Sequence, residues 1–157
     1  MELFDLRKEY GLSQLKAAQI CGVPLRTYIR YETNSEYGNL LKRKGMIAAI
    51  NSACEITEEK GILTIDQIIK GVCNVITKKY QDSVSLCYLF GSYAKGYATE
   101  KSDVDLLVAT NLEGFAYAGL AEDIRTVLHK NIDLNNYSNS SSELIYEIMK
   151  EGIKIYG

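Results

Sequence analysis

Apolar positions along the second half of the chain change period several times, and each change marks an element. Ile65, Ile68, Ile69, Val72, Val75 and Ile76 recur three and four residues apart, which predicts a helix from Thr64 to Tyr80 with Thr64 as its N-cap. Ser85–Phe90 is a short apolar run and predicts a strand. A short helix is expected over Tyr93–Ala98, then a second strand over Val104–Ala109. Leu120, Ile124, Val127 and Leu128 share one side of a helix expected over Phe115–Lys130. A third strand begins at Ile132-Asp133-Leu134. Ser141 or Ser142 caps a last helix carrying Leu144, Ile145, Ile148 and Met149. This alternation predicts an α/β (α+β) fold, a small mixed sheet with helices against it.

The first third has a different rhythm. Ser13 is placed to cap a helix that turns Leu15 and Ala18 inward, and the small Ala17 and Ala18 allow a second helix to cross closely. Gly22 can adopt the positive φ that ends such a helix, and Pro24 suits the first turn of the next. Leu25, Tyr28 and Ile29 would form the buried face of that second helix, leaving Arg26, Thr27 and Arg30 outward. A turn-rich stretch, Thr33–Asn39, leads to a helix near Leu40–Glu55. The polar break Thr57-Glu58-Glu59-Lys60-Gly61 suggests two domains, 1–58 and 62–157.

Charge supports two jobs. Residues 1–50 hold eight Lys/Arg against five Asp/Glu, a net of +3. Residues 51–157 hold ten against fifteen, a net of −5. The basic part suits an anionic polymer; the acidic part would repel one unless a cation intervened. The basic triplet Lys42-Arg43-Lys44 reads first as a solvated face. Hydrophobic residues make up 46% of the chain, and no apolar run is long enough to cross a membrane. The acidic start Met1-Glu2-Leu3-Phe4-Asp5 lacks a signal-peptide layout. Cys21, Cys54, Cys73 and Cys87 are scattered with no metal-site spacing, so buried free thiols in a reducing cytoplasm are expected.

The densest chemistry lies in residues 90–108. Gly91-Ser92 closes the first apolar strand; ten residues later Asp103 and Asp105 flank Val104 at the head of the second. Alternation along a strand places both aspartates on one face. Two neighbouring carboxylates call for a cation, and Mg²⁺ commonly brings phosphates with it. A Gly-Ser turn at a helix start offers backbone N–H groups and a hydroxyl to phosphate oxygens. The plainer alternative is an Asp-rich turn ahead of a core strand.

Gly91-Ser92, the ten-residue gap and Asp103-Val104-Asp105 resemble the signature of the polymerase-β-like nucleotidyltransferases. The flanks Tyr88-Leu89-Phe90 and Leu106-Leu107-Val108 are similar to the small minimal nucleotidyltransferases of bacteria and archaea. The resemblance implies a third carboxylate at Asp133, where Ile132 and Leu134 turn to the core and Asp133 turns away. It implies that Asp103, Asp105 and Asp133 are catalytic and hold two Mg²⁺ ions, with ATP as substrate and Gly91, Ser92 and Lys95 binding the nucleotide. Asp133 could also accept the proton of an attacking hydroxyl. Tyr93 and Tyr97 are read as packing residues, and His129 as structural.

Residues 1–35 resemble a Cro or phage-repressor-like (XRE) helix–turn–helix through Gln14, Ala18, Gly22-Val23 and Arg30-Tyr31-Glu32. Pro24 and Leu25 depart from the polar residues that often open its recognition helix. Gln14, Arg26, Thr27 and Arg30 are then the candidates to meet operator DNA; a helical packing module is the other reading. Minimal transferases are frequently paired with helical HEPN toxins, which implies an antitoxin that moves AMP from ATP onto a toxin hydroxyl. A nucleotide-sensing regulator with a binding-only transferase domain is the alternative.

Overall fold

The computed structural model describes residues 2–157, and the chain divides into two compact units, Met1–Glu55 and Ile56–Gly157. The first unit holds four helices: α1 (Leu3–Glu9), α2 (Gln14–Cys21), α3 (Leu25–Thr33) and α4 (Leu40–Cys54). Ser13 caps α2 by accepting the Lys16 N–H at 3.1 Å. Gly22 ends that helix in the left-handed region at φ 66°, where a side chain would be strained. Pro24 is the extended residue just before α3 rather than its first helical residue. Asn39 caps α4 through the Leu41 and Lys42 N–H groups.

The core of this unit is Leu3, Leu6, Ala17, Ala18, Tyr28, Tyr31, Met46 and Ile50. The phase of two helices differs from the sequence expectation. Leu15 is 54% exposed and Leu25 38% exposed. At about 100° per residue, Leu15 lies about 110° from the midline between buried Ala17 and Ala18, and Leu25 about 90° from that between Tyr28 and Tyr31. Arg43 also departs from expectation. It is buried, and its guanidinium donates to the carbonyls of Tyr31 (2.6 Å), Asn34 (2.7 Å) and Tyr37 (3.3 Å), pinning the α3–α4 connection. Lys42 and Lys44 stay exposed.

The second unit runs α5 (Ile65–Val75), a π-turn (Ile76–Tyr80), β1 (Val84–Phe90), α6 (Gly91–Lys95), β2 (Val104–Thr110), α7 (Gly114–Leu128), β3 (Ile132–Asn136), a 3₁₀ turn (Tyr137–Asn139), α8 (Ser142–Glu151) and β4 (Ile153–Tyr156). Thr64 and Gln67 form a reciprocal capping box at the start of α5. Ser141, not Ser142, caps α8. The sheet order is β3-β2-β1-β4, antiparallel at β1–β2 and β1–β4 and parallel at β2–β3. This is the mixed α/β sheet expected from the alternation, with β4 added where the sequence read only a tail.

Strands β1 and β2 are central, and Cys87, Leu89, Val104, Leu106 and Val108 are fully buried. Helices α5 and α7 supply Ile68, Val72, Leu120 and Ile124 to the same core. Burying one such side chain stabilises the fold by about 1.5–3 kcal/mol. A rigid pair of central strands therefore carries whatever projects from the end of β1 and the start of β2.

Candidate active site

Gly91 is where β1 gives way to α6. Phe90 is extended, Gly91 sits at φ 72°, and α6 ends five residues on at Gly96, φ 82°. The left-handed backbone is one reason for glycine at position 91, and crowding is another. A Cβ there would stand 2.1 Å from Asp105 Oδ2 and 2.9 Å from its Cγ. The turn and the β2 carboxylate are thus in direct apposition, and only a residue without a side chain permits it.

Register places the acidic residues. Phe90 on β1 pairs with Asp105 on β2, and Asp105 pairs with Asp133 on β3. Asp105 and Asp133 are therefore side-by-side neighbours on parallel strands. Asp103 lies just ahead of β2, exposed; Val104, between the two aspartates, is fully buried, and its N–H donates to the Asn131 carbonyl at 2.9 Å. Ile132 and Leu134 pack against the core while Asp133 is exposed.

The electrostatics follow from that crowding. Asp105 is pushed up to a pKa of about 6, first by burial, then by the charges of Asp133 and Asp103, and by a hydrogen bond with Asp133. Asp105 is crowded by both neighbouring carboxylates, a repulsion that a cation would relieve. Among the described residues, no three or more His, Cys, Asp or Glu side chains are drawn together as a formed metal site. The donor set is nonetheless all carboxylate oxygen, the chemistry that suits Mg²⁺. Asn135 Nδ2 reaches Asp133 Oδ1 at 3.5 Å. The Tyr117 hydroxyl donates to the Leu134 carbonyl at 2.7 Å, and its pKa is raised by burial and then by Asp133. Tyr117 is a neighbour of the site that its helical spacing did not disclose.

The remaining candidates are placed as follows. Ser92, half-buried, follows Gly91 in the first turn of α6. Lys95, at the end of α6, directs its ammonium to Glu151 Oε2 at 3.2 Å. Tyr93 is buried as a packing residue, whereas Tyr97 is 64% exposed and does not pack as expected. His129 closes α7 at φ 57° and is exposed. In the first unit, Gln14 Nε2 donates to Glu32 Oε2 at 2.5 Å, and the same carboxylate accepts from Arg7 Nε. Gln14 is thereby committed to an internal bond. Arg26 is exposed, Thr27 half-buried, and the exposed Arg30 guanidinium lies 5.9 Å from the Tyr37 ring centroid. The cysteines are not all buried as expected: Cys87 is, whereas Cys21, Cys54 and Cys73 are half-buried. No described helix is long and apolar enough to cross a membrane.

A mixed sheet that sets carboxylates on adjacent strands against a bare-backbone turn defines a phosphate-handling transferase fold. The chain belongs to the polymerase beta nucleotidyltransferase family, whose pattern matches residues 72–157 and takes in Gly91, Ser92 and all three aspartates. Protein adenylyltransferase MntA of Shewanella oneidensis is 32% identical over 89 residues, covering 54% of this chain and 64% of that protein. The chain thus spans less than two thirds of that relative's length. A solved structure assigned to the minimal nucleotidyltransferases superposes with a TM-score of 0.52 at 23% identity, over 60% of this chain and 98% of the other; it supports the fold. A crystal structure of a toxin–antitoxin with AMP-PNP is 26% identical over 57% of this chain and 73% of the other, with a TM-score of 0.49.

Proposed function

We propose that the second unit transfers a nucleoside monophosphate, AMP from ATP, to a hydroxyl on a protein. The observation that carries this reading is the register pair Asp105–Asp133, with Asp105 lying against Gly91. Family membership supports the chemistry, and the name of the Shewanella relative, a protein adenylyltransferase, supports AMP and a protein acceptor.

Asp103, Asp105 and Asp133 are the residues that would hold Mg²⁺, two ions in the full reading. Held by these carboxylates, a divalent ion would supply charge neutralisation at the transferring phosphate and the departing pyrophosphate. The chain's own groups do the rest. Gly91 lets phosphate oxygens approach the backbone, and Ser92 offers a hydroxyl and an N–H at the start of α6. Asp133, exposed at its strand, accepts the proton of the incoming hydroxyl. Lys95 supplies positive charge once it leaves Glu151. Most of the rate gain is then positioning and electrostatics.

The acceptor in this reading is a helical HEPN toxin, making the chain an antitoxin. The first unit is a helix–turn–helix that docks α3 on operator DNA through Arg26, Thr27 and Arg30 in the cytoplasm. The exposure of Arg26 and Arg30 on one short helix supports this. Gln14 is withdrawn from base contact, because its amide is bound to Glu32.

The test is incubation with labelled ATP, Mg²⁺ and the protein encoded beside it. Label moves to the partner, and Asp103→Ala abolishes the transfer. Nucleotide binding without transfer to any acceptor would instead favour a sensor.

A further inference from the structure

Lys130 is fully buried, in a chain whose other lysines lie mostly on the surface. It stands between the left-handed end of α7 and the start of β3. Its ammonium donates to two backbone carbonyls, Glu100 O at 2.5 Å and Lys60 O at 3.3 Å. Burial pulls its pKa below the usual lysine value, as expected of an amine removed from water. A lysine at a surface loop junction has no need of burial, and a buried amine is expensive unless hydrogen bonds replace its hydration. The two carbonyls provide that replacement.

The segments joined are the informative part. Glu100 belongs to the tight turn that delivers the chain to Asp103. Within it Ser102 Oγ accepts the Thr99 N–H at 2.8 Å, and the Ser102 N–H donates to Thr99 O at 3.1 Å. On the other side, Glu100 Oε1 accepts the Gly61 N–H at 3.2 Å. One residue beyond Lys130, the Asn131 carbonyl takes the Val104 N–H. The turn before β2 and the junction before β3 are therefore clamped together three residues ahead of Asp103 and three residues ahead of Asp133. Asp103 lies outside the strand and has no ladder of its own to fix it.

We propose that Lys130 is a positioning residue for the acidic site: its buried ammonium holds the Thr99–Ser102 turn so that Asp103 converges with Asp105 and Asp133. The inference rests on the transferase reading above, in which these aspartates take a divalent ion. Lys130 touches neither substrate nor ion in this role; it sets the approach of a residue that does.

The test compares the full-length protein with Lys130→Met, which keeps length and loses the donors. The probe is Mn²⁺, followed by electron paramagnetic resonance, with the fold checked by circular dichroism. The expected result is a folded variant whose Mn²⁺ affinity falls about tenfold or more, as when supporting partners of a metal site are removed. Lys130→Met that binds Mn²⁺ like the parent overturns the proposal. A parent that binds no Mn²⁺ overturns the transferase reading beneath it instead. Should Lys130→Met not fold, amide exchange in the parent decides. Slow exchange of the Gly61 and Ser102 amides, matching the core of β2, supports the clamp; exchange at the rate of an open loop refutes it.

Discussion

Replacing Gly91 by alanine separates the two reasons for glycine at the β1–α6 turn, provided Gly96→Ala is measured beside it. Both positions are left-handed, at φ 72° and 82°. An alanine at either costs about 1–2 kcal/mol. Only Gly91 is crowded: the new Cβ would meet Asp105 Oδ2 at 2.1 Å and its Cγ and Cβ at 2.9 and 3.2 Å, whereas nothing lies within 4 Å at Gly96. The Asp105 carboxylate must swing off its rotamer, adding about 0.5–1.5 kcal/mol. Gly91→Ala should then lose about 2–3 kcal/mol in all, against a typical stability of about 5–15 kcal/mol. In thermal melts this is a fall of roughly 10–20 °C, with roughly half that for Gly96→Ala. Transfer activity separates them further. Displacing Asp105 by an ångström should lower the rate about a hundredfold, while Gly96→Ala retains most of it. Equal melting temperatures and equal activities would refute the claim that the turn and the carboxylate are in apposition.

Three further outcomes are expected. Asp105→Asn should be more stable than the parent at pH 7.5 without metal, by on the order of 1 kcal/mol after solvent screening. Because the folded pKa of Asp105 is raised to about 6 from 3.8, the parent loses this stability as pH rises through 6. The gap should therefore close in melts taken down to pH 4, and a variant less stable at pH 7.5 would contradict the crowding. Glu32→Ala leaves Arg7 buried without its carboxylate and should destabilise the first unit by about 3–5 kcal/mol, read as faster amide exchange at Tyr31 and Ile50. Arg26→Ala with Arg30→Ala should flatten the salt dependence of operator binding by about two units of log–log slope, measured by anisotropy; an unchanged slope would remove α3 from the DNA interface.

The sheet and the Gly-Ser turn were legible because their signals are local. A capped helix, two apolar runs and a ten-residue gap need no knowledge of distant residues. Phase was less legible. Spacing placed Leu15 and Leu25 on helices, but the close crossing at Ala17–Ala18 and the bulk of Tyr28 and Tyr31 decided which side turned inward. Strand β4 was missed because Ile153-Lys154-Ile155-Tyr156 is four residues long and becomes a strand only by pairing with β1. Helix α1, seven residues, is too short to show a period. The Arg7–Glu32–Gln14 cluster joins residues far apart in sequence, so Gln14 looked free when it is not. Lys130 gave no signal either, since composition treats every lysine as solvated.

Strand β3 has a neighbour on one side only. Among the described residues no further strand borders the flank beyond Asp133, and that residue is exposed to solvent. Under the transfer chemistry proposed above, water at such a flank would compete for the activated phosphate. A protein acceptor of the kind proposed, laid along β3, would seal the reaction with its own surface, so that productive turnover and docking become the same event.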